Sequence, residues 1–295
     1  MQKPDPTYGG RPLARPGEDL EDQGLGFDLG TLMGRRQMFR LLGVGATGLG
    51  LAACTGNTDK PGTGRAGNAA GGTSSGAAAG PATPAGDEIP EETAGPYPGD
   101  GSNGPDVLAQ SGIVRGDIRA SFGDFSGTAD GVPMTLELTV QNLANGGTPY
   151  AGTAVYVWHC DREGRYSLYS DGATEQNYLR GVQIADAAGK VRFTSIFPAC
   201  YAGRWPHIHF EVYPDQESIT DASKAIATSQ VALPGNVCDA VYAERGYEDS
   251  ASNLTRVSLD SDNVFGDDGG ARQLGTVTGD VSSGYRVSLS VPVQP

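Results

Sequence analysis

From about Glu88 onward the chain alternates short apolar runs with clusters of Gly, Asp, Asn and Pro. Leu136-Glu137-Leu138-Thr139-Val140 and Ile208-His209-Phe210-Glu211-Val212 repeat with period two, which puts alternate side chains on opposite faces of a strand. Runs rich in β-branched and aromatic residues at Ile113–Ile118, Met134–Val140, Ala154–Trp158, Lys190–Ile196, Pro206–Tyr213, Ala225–Leu233 and Tyr285–Val291 predict further strands. Ala225–Leu233 is expected to pair antiparallel with Pro206–Tyr213. A helical pattern occurs at Asn236–Arg245, with Asn236 as N-cap ahead of Ala240, Val241 and Ala243. The pattern predicts an all-β fold: an antiparallel β-sandwich core of about seven strands with long loops and one short helix.

The first third of the chain reads differently. Residues 34–54 are GRRQMFRLLGVGATGLGLAAC: a charged stretch from Arg35-Arg36 to Arg40, then a Leu/Gly/Ala run too short to span a bilayer. Arg35-Arg36 followed by Phe39 resembles a twin-arginine export signal. Leu51-Ala52-Ala53-Cys54 resembles a lipobox, in which Cys54 is lipidated and becomes the new N-terminus. Residues 55–87 are mostly Gly, Ala, Ser, Thr, Pro and Asn, a composition that cannot bury enough apolar surface to offset its ordering entropy. The expected organisation is an export signal over 1–54, a flexible tether over 55–87 and a β-sandwich body over 88–295. It places the protein outside the cytoplasm, at the cell surface or in the periplasm, as a membrane-anchored lipoprotein. The twin-arginine route carries folded proteins, which suits a metal loaded before export.

Composition supports turns over helices, since 45 Gly and 19 Pro occur among 295 residues. Charge excludes one class of partner. The net charge is -14, residues 1–53 carry six acids and six bases, and the remainder therefore holds all of the excess. So acidic a body is a poor nucleic-acid binder, because phosphate contacts need clustered Lys and Arg. A membrane is expected to be touched only through the anchor at Cys54.

Three cysteines follow Cys54: Cys160, Cys200 and Cys238. In an exported protein they read as one disulfide and one odd thiol, or as three thiols. Pairing of the two strands above brings Cys238 toward Cys200, so a Cys200–Cys238 bridge is expected, with Cys160–Cys200 second. The chain has three histidines, His159, His207 and His209. On a strand, His207 and His209 share a face. They are a pair of surface histidines or two ligands of a metal. No nearby Asp or Glu is read as sitting where a site of two histidines and one carboxylate would need it, unless a distant loop supplies one; what lies close is tyrosine, Tyr201 upstream and Tyr166 in Gly164-Arg165-Tyr166. Phenolate is a hard anionic ligand that suits trivalent iron.

Val155-Tyr156-Val157-Trp158-His159-Cys160 with Gly164-Arg165-Tyr166-Ser167 resembles the first iron-tyrosine region of the intradiol ring-cleavage dioxygenases. Phe193-Thr194-Ser195-Ile196-Phe197-Pro198 with Tyr201, Arg204, Pro206, His207 and His209 resembles their second, and Glu92-Thr93-Ala94-Gly95-Pro96-Tyr97 the opening of their catalytic domain. The chain looks more like the protocatechuate-type core than the catechol type, whose helical dimerisation region it lacks. The resemblance implies one non-haem mononuclear Fe(III) held by Tyr166, Tyr201, His207 and His209, with Tyr201 as the tyrosine that yields to substrate. It implies that Arg204 stabilises developing negative charge on the ring, with Gln230 beside it. Substrates would be a catechol-type molecule and O2, and the product a muconate-type diacid. In this reading His159 and Trp158 are structural.

The chemistry is self-consistent. A catechol gives up two protons on chelation, and a displaced phenolate and a hydroxide can accept them without a separate carboxylate. Two other readings compete: a non-catalytic exported β-sandwich binding lipoprotein, and a Zn or Cu protein using His159, His207 and His209.

Overall fold

The alternation beginning at Met134 sets one of the two longest strands, β3 (Pro133–Asn142), whose Met134, Leu136, Leu138 and Val140 are buried while the intervening residues are less so. In this computed structural model the described residues are 87–295 and two short strands, β1 (Thr7–Tyr8) and β2 (Arg11–Pro12), which pair with each other. The rest of the expected export signal, Cys54 and the tether up to residue 86 lie outside the described residues. No helix among the described residues is long and apolar enough to cross a membrane.

Nine strands build two sheets in the body. One contains β3, β4 (Thr148–Pro149), β7 (Lys190–Ile196), β10 (Thr276–Asp280) and β11 (Gly284–Val293). The other has the order β6-β5-β8-β9, from β6 (Arg180–Ile184), β5 (Ala154–Trp158), β8 (His207–Tyr213) and β9 (Ala227–Ala232). The all-β sandwich is as expected. Leu136, Leu138 and Val140 pack with Val155, Val157, Ile208, Phe210, Val212, Val287 and Val291 in one core cluster. Burying each such side chain is worth about 1.5–3 kcal/mol.

Three features differ from the sequence pattern. Ile113–Ile118 is no strand but makes isolated bridges, Val114 to Val182 of β6 and Asp117 to Thr194 of β7. It crosses from one sheet to the other, so neither ladder can extend. β11 runs parallel to β3 along Tyr285–Val293, although the sandwich was expected to be antiparallel. These are the first and last long strands of the body, and no tight turn joins them to impose an antiparallel pairing. The helix α1 (Gly235–Tyr242) is capped by Pro234, not Asn236, and a second helix, α2 (Glu248–Leu254), follows without an apolar period to announce it.

The four-stranded sheet is covered on both faces, and β8 and β9 are buried throughout. Its second face carries Ala154, Tyr156, Trp158 and Tyr213, packed against Val107, Leu108, Ile113, Tyr166 and Ala199 of the long loops. The period-two rule puts His207 and His209 on this face, under those loops.

The expected Cys200–Cys238 disulfide is not formed. Cys160, Cys200 and Cys238 are buried thiols. Each points to a nearby carbonyl: Cys160 to Ala199, Cys200 to Arg204 and Cys238 to Leu233. The segment preceding Tyr201 is held by other means. Ser250 Oγ accepts from the Cys200 amide at 3.0 Å, and Asn253 Nδ2 donates to the Cys200 carbonyl at 2.9 Å. Tyr242 and Tyr247 donate to the carbonyls of Pro198 and Phe197. The two helices thus do what a crosslink was expected to do.

Candidate metal centre

Strand β8 presents His207 and His209 side by side, with their Nε2 atoms 3.1 Å apart. Tyr166 comes from the loop after β5 and Tyr201 from the loop before β8. The Tyr166 hydroxyl lies 3.4 Å from His207 Nε2 and 3.4 Å from the Tyr201 hydroxyl, which is itself 3.2 Å from His207 Nε2. All four residues expected to hold a metal therefore meet at one point.

These contacts do not make a hydrogen-bond network. His207 Nδ1 lies 2.6 Å from the Trp205 carbonyl, which can only accept, so Nδ1 carries the proton and Nε2 offers a lone pair. That single lone pair faces three polar atoms at 3.1, 3.2 and 3.4 Å. Donors bound at about 2.0–2.1 Å to a common ion, at right angles or somewhat wider, lie about 2.9–3.4 Å from one another. The spacing is that of atoms arranged around a cation. Two phenols and two neutral imidazoles also fit Fe(III) chemically, since the phenolates supply hard negative charge and imidazole suits iron.

Burial keeps both imidazoles in the form a metal needs. It pushes His207 down to about 3, helped by Arg204. It pushes His209 well below the ordinary value, helped by His207 and Arg204. A neutral imidazole is the ligating form, so no proton has to be displaced near neutral pH. Trp158 stacks on the His209 ring at 4.9 Å and 7° and sets its plane. Gly95, at φ +71°, lies where a Cβ would come within 3.3 Å of His209 Cε1. The Thr93-Ala94-Gly95 arm can therefore close over the site only with a glycine there.

Arg204 is buried beside the four donors. Its Nε donates to Asp262 Oδ2 at 3.0 Å and its Nη2 to Gln230 Oε1 at 2.7 Å. Burial opposes the guanidinium charge, but Tyr201 and Asp262 outweigh it and hold the pKa above its ordinary value. Gln230, directly across from His209 in the β8–β9 ladder, donates its Nε2 to the Thr93 carbonyl at 3.1 Å.

His159 stands apart from the cluster. Its Nδ1 is 2.7 Å from the Cys160 carbonyl and its Nε2 2.7 Å from Ser195 Oγ. A zinc or copper site from the three histidines is thus not assembled. Among the described residues no group of three or more His, Cys, Asp or Glu could hold a metal. Burial lowers His159 from 6.5 to about 4. The unfolded chain takes up this proton first, so the burial contribution is intact above about pH 6.5 and is lost as pH falls toward 4. By pH 5 the loss should be about 2 kcal/mol. Imidazole carbon–proton NMR should show His159 neutral down to about pH 4. Titration of His159 near 6.5 would contradict this account.

Three further residues bear on the site; Glu92 lies in the Glu92–Tyr97 motif, and the other two carry no sequence signal. Asp262 is one. Arg180 is another: fully buried, it donates to the carbonyls of Pro98, Tyr97 and Ser167 and so ties the arm at residues 97–98 to the loop carrying Tyr166. The third is Glu92, pushed up to about 8 by burial and Asp267, against the pull of Gln273 and Arg204. Leu168 and Leu179 flank the same loops with φ of 74° and 56°, a conformation L side chains rarely adopt.

Residues 103–215, which include the four donors and Arg204, match a family model described as "Dioxygenase". The catechol 1,2-dioxygenase of Pseudomonas sp. (strain EST1001) is 39% identical over 72 residues, 24% of this chain and 23% of that protein. The protocatechuate 3,4-dioxygenase beta chain of Burkholderia cepacia is 33% identical over 99 residues, 29% of this chain and 42% of that protein. These matches span less than half the length of either relative. In fold the chain is similar to an intradiol ring-cleavage dioxygenase from Tetranychus urticae, at TM-score 0.53 and 23% identity, over 71% of this chain and 95% of that one.

Proposed function

We propose that this chain is an intradiol ring-cleavage dioxygenase, a non-haem Fe(III) enzyme that opens a catechol-type ring between its two hydroxyl-bearing carbons with O2, to give a muconate-type diacid; the family-model match over residues 103–215 and the similarity to catechol and protocatechuate dioxygenases support this reading. The observation that carries this reading is the convergence of Tyr166, Tyr201 and His209 on the one lone pair of His207. A binding module that had only kept the fold would need neither that convergence nor a buried guanidinium beside it.

Tyr166, Tyr201, His207 and His209 would hold Fe(III), and the chemistry it would supply when bound is chelation of the catecholate and withdrawal of electron density from the ring. Tyr201 is half-buried and Tyr166 buried, so Tyr201 is the phenol that can move aside and accept a catechol proton at Oη. Arg204 brings a fixed positive charge to where negative charge develops on the ring, which lowers the barrier because the charge is already oriented. Gln230 and Asp262 hold it there. Trp158 and the Gly95 arm keep His209 from turning.

Tyr166→Phe or Tyr201→Phe should shift or weaken the red-brown tyrosinate-to-Fe(III) absorption of iron-loaded protein, because each removes one phenolate. An unchanged visible spectrum in both variants would remove tyrosine from the ligand set. Colourless protein after iron loading would favour the non-catalytic alternative.

The proposal includes an exported lipoprotein, anchored through Cys54 and standing off the membrane on residues 55–87. Fatty-acid labelling of the expressed protein should disappear in Cys54→Ala, and labelling that persists there would refute the anchor.

A further inference from the structure

Arg204 uses two of its three nitrogens on the protein. Nε goes to Asp262 and Nη2 to Gln230, and Nη1 makes no hydrogen bond among the described residues. We propose that Asp262 is a positioning residue, whose carboxylate sets the Arg204 guanidinium so that Nη1 faces the reacting ring; this rests on the function proposed above.

The geometry of Asp262 is that of a fixed clamp. Oδ2 accepts from Arg204 Nε at 3.0 Å and from the Trp205 amide at 2.6 Å, so one oxygen orients the side chain of Arg204 and the main chain that follows it. Oδ1 accepts from the amides of Val264 and Phe265 at 2.8 and 3.1 Å, which fixes the carboxylate plane. Val264 and Phe265 pack with Trp205 and Ala232, and Trp205 Nε1 donates to the Leu233 carbonyl. The anchor is thus seated on the end of β9, the strand that also supplies Gln230.

Arginine is a long side chain with several rotamers to lose. A guanidinium held at Nε and Nη2 cannot rotate about its last bonds. Without Asp262 the charge is still present, and the neighbouring phenolates can draw it away from the ring. Burial alone would have placed an arginine nearby; the pair of contacts places one nitrogen.

The test uses full-length, iron-loaded protein. Asp262→Asn keeps an acceptor for the Val264 and Phe265 amides but weakens the hold on Nε. It should lower kcat about tenfold or more, since a displacement of about 1 Å at a reacting group can cost on the order of 10²-fold. KM for catechol and the visible band should stay unchanged. Asp262→Asn combined with Arg204→Ala should be no slower than Arg204→Ala alone, within about twofold, because Asp262 acts only through Arg204. A second readout does not involve turnover. In protein labelled with 15N-arginine, the Arg204 Nε–H should exchange slowly in the wild type, at least about tenfold faster in Asp262→Asn, and at an intermediate rate in the charge-retaining Asp262→Glu. Losses that multiply in the double variant, or exchange indifferent to Asp262, would overturn the proposal. Slow exchange that depends on Asp262, in a protein that cleaves no catechol, would uphold the clamp and overturn the proposed function instead.

Discussion

His207→Ala combined with His209→Ala should purify without stoichiometric iron and without measurable ring cleavage. His207 Nε2 is the atom nearest the other three donors, at 3.1, 3.2 and 3.4 Å, and His209 is one of those three. Removing both leaves two phenols on separate loops with nothing on β8 to meet them. The sheet itself should persist, because Ile208, Phe210 and Val212 carry the core contacts of this strand on its opposite face. Iron content by elemental analysis, alongside circular dichroism for the fold, is the check. Stoichiometric iron in the folded double variant would sink the site.

Arg204→Ala should do the opposite: keep iron and colour, and lose turnover. Its proposed part begins only when charge develops on the ring. Removing a preorganised donor of this kind costs on the order of 10² or more in kcat. The substitution also strands Asp262, whose side chain is fully buried, without its cation. Breaking a buried pair in this way typically costs about 3–5 kcal/mol of stability. Arg204→Lys, which retains a charge but not the two-point geometry, separates the two effects. It should be more stable than Arg204→Ala and still slow. Near-normal kcat in either folded variant would remove Arg204 from the reaction.

The four candidate donors could be named from the sequence because strand periodicity put His207 and His209 on one face, and because Tyr166 and Tyr201 sit within short reach of β5 and β8. Their meeting could not be read there; it depends on two loops closing over the outer face of the sheet. Strand β6 escaped notice because it is only five residues long and contains Arg180 and Gly181, which break the apolar run. Arg180 is buried because main-chain carbonyls from two loops surround it, a condition set by tertiary structure alone. Asp262 lies among Asp260, Asp267 and Asp268 in a loop, and nothing local sets it apart. It matters through a contact with a residue 58 positions away. The disulfide expectation failed for a related reason. Strand pairing brought Cys200 and Cys238 to the same end of the sandwich as foreseen, but α2, whose polar sequence gave no helical period, holds the Tyr201 loop with Ser250 and Asn253.

Intradiol cleavage at an iron held by Tyr166, Tyr201, His207 and His209 is the proposed reaction. Oxygen uptake by iron-loaded protein against a panel of catechols under 18O2, with products identified by mass, tests it most directly. One O2 should be consumed per catechol, with both labelled atoms in a muconate-type diacid. No uptake with any catechol, or a ring opened beside the hydroxyl pair to give an aldehyde product, would contradict it.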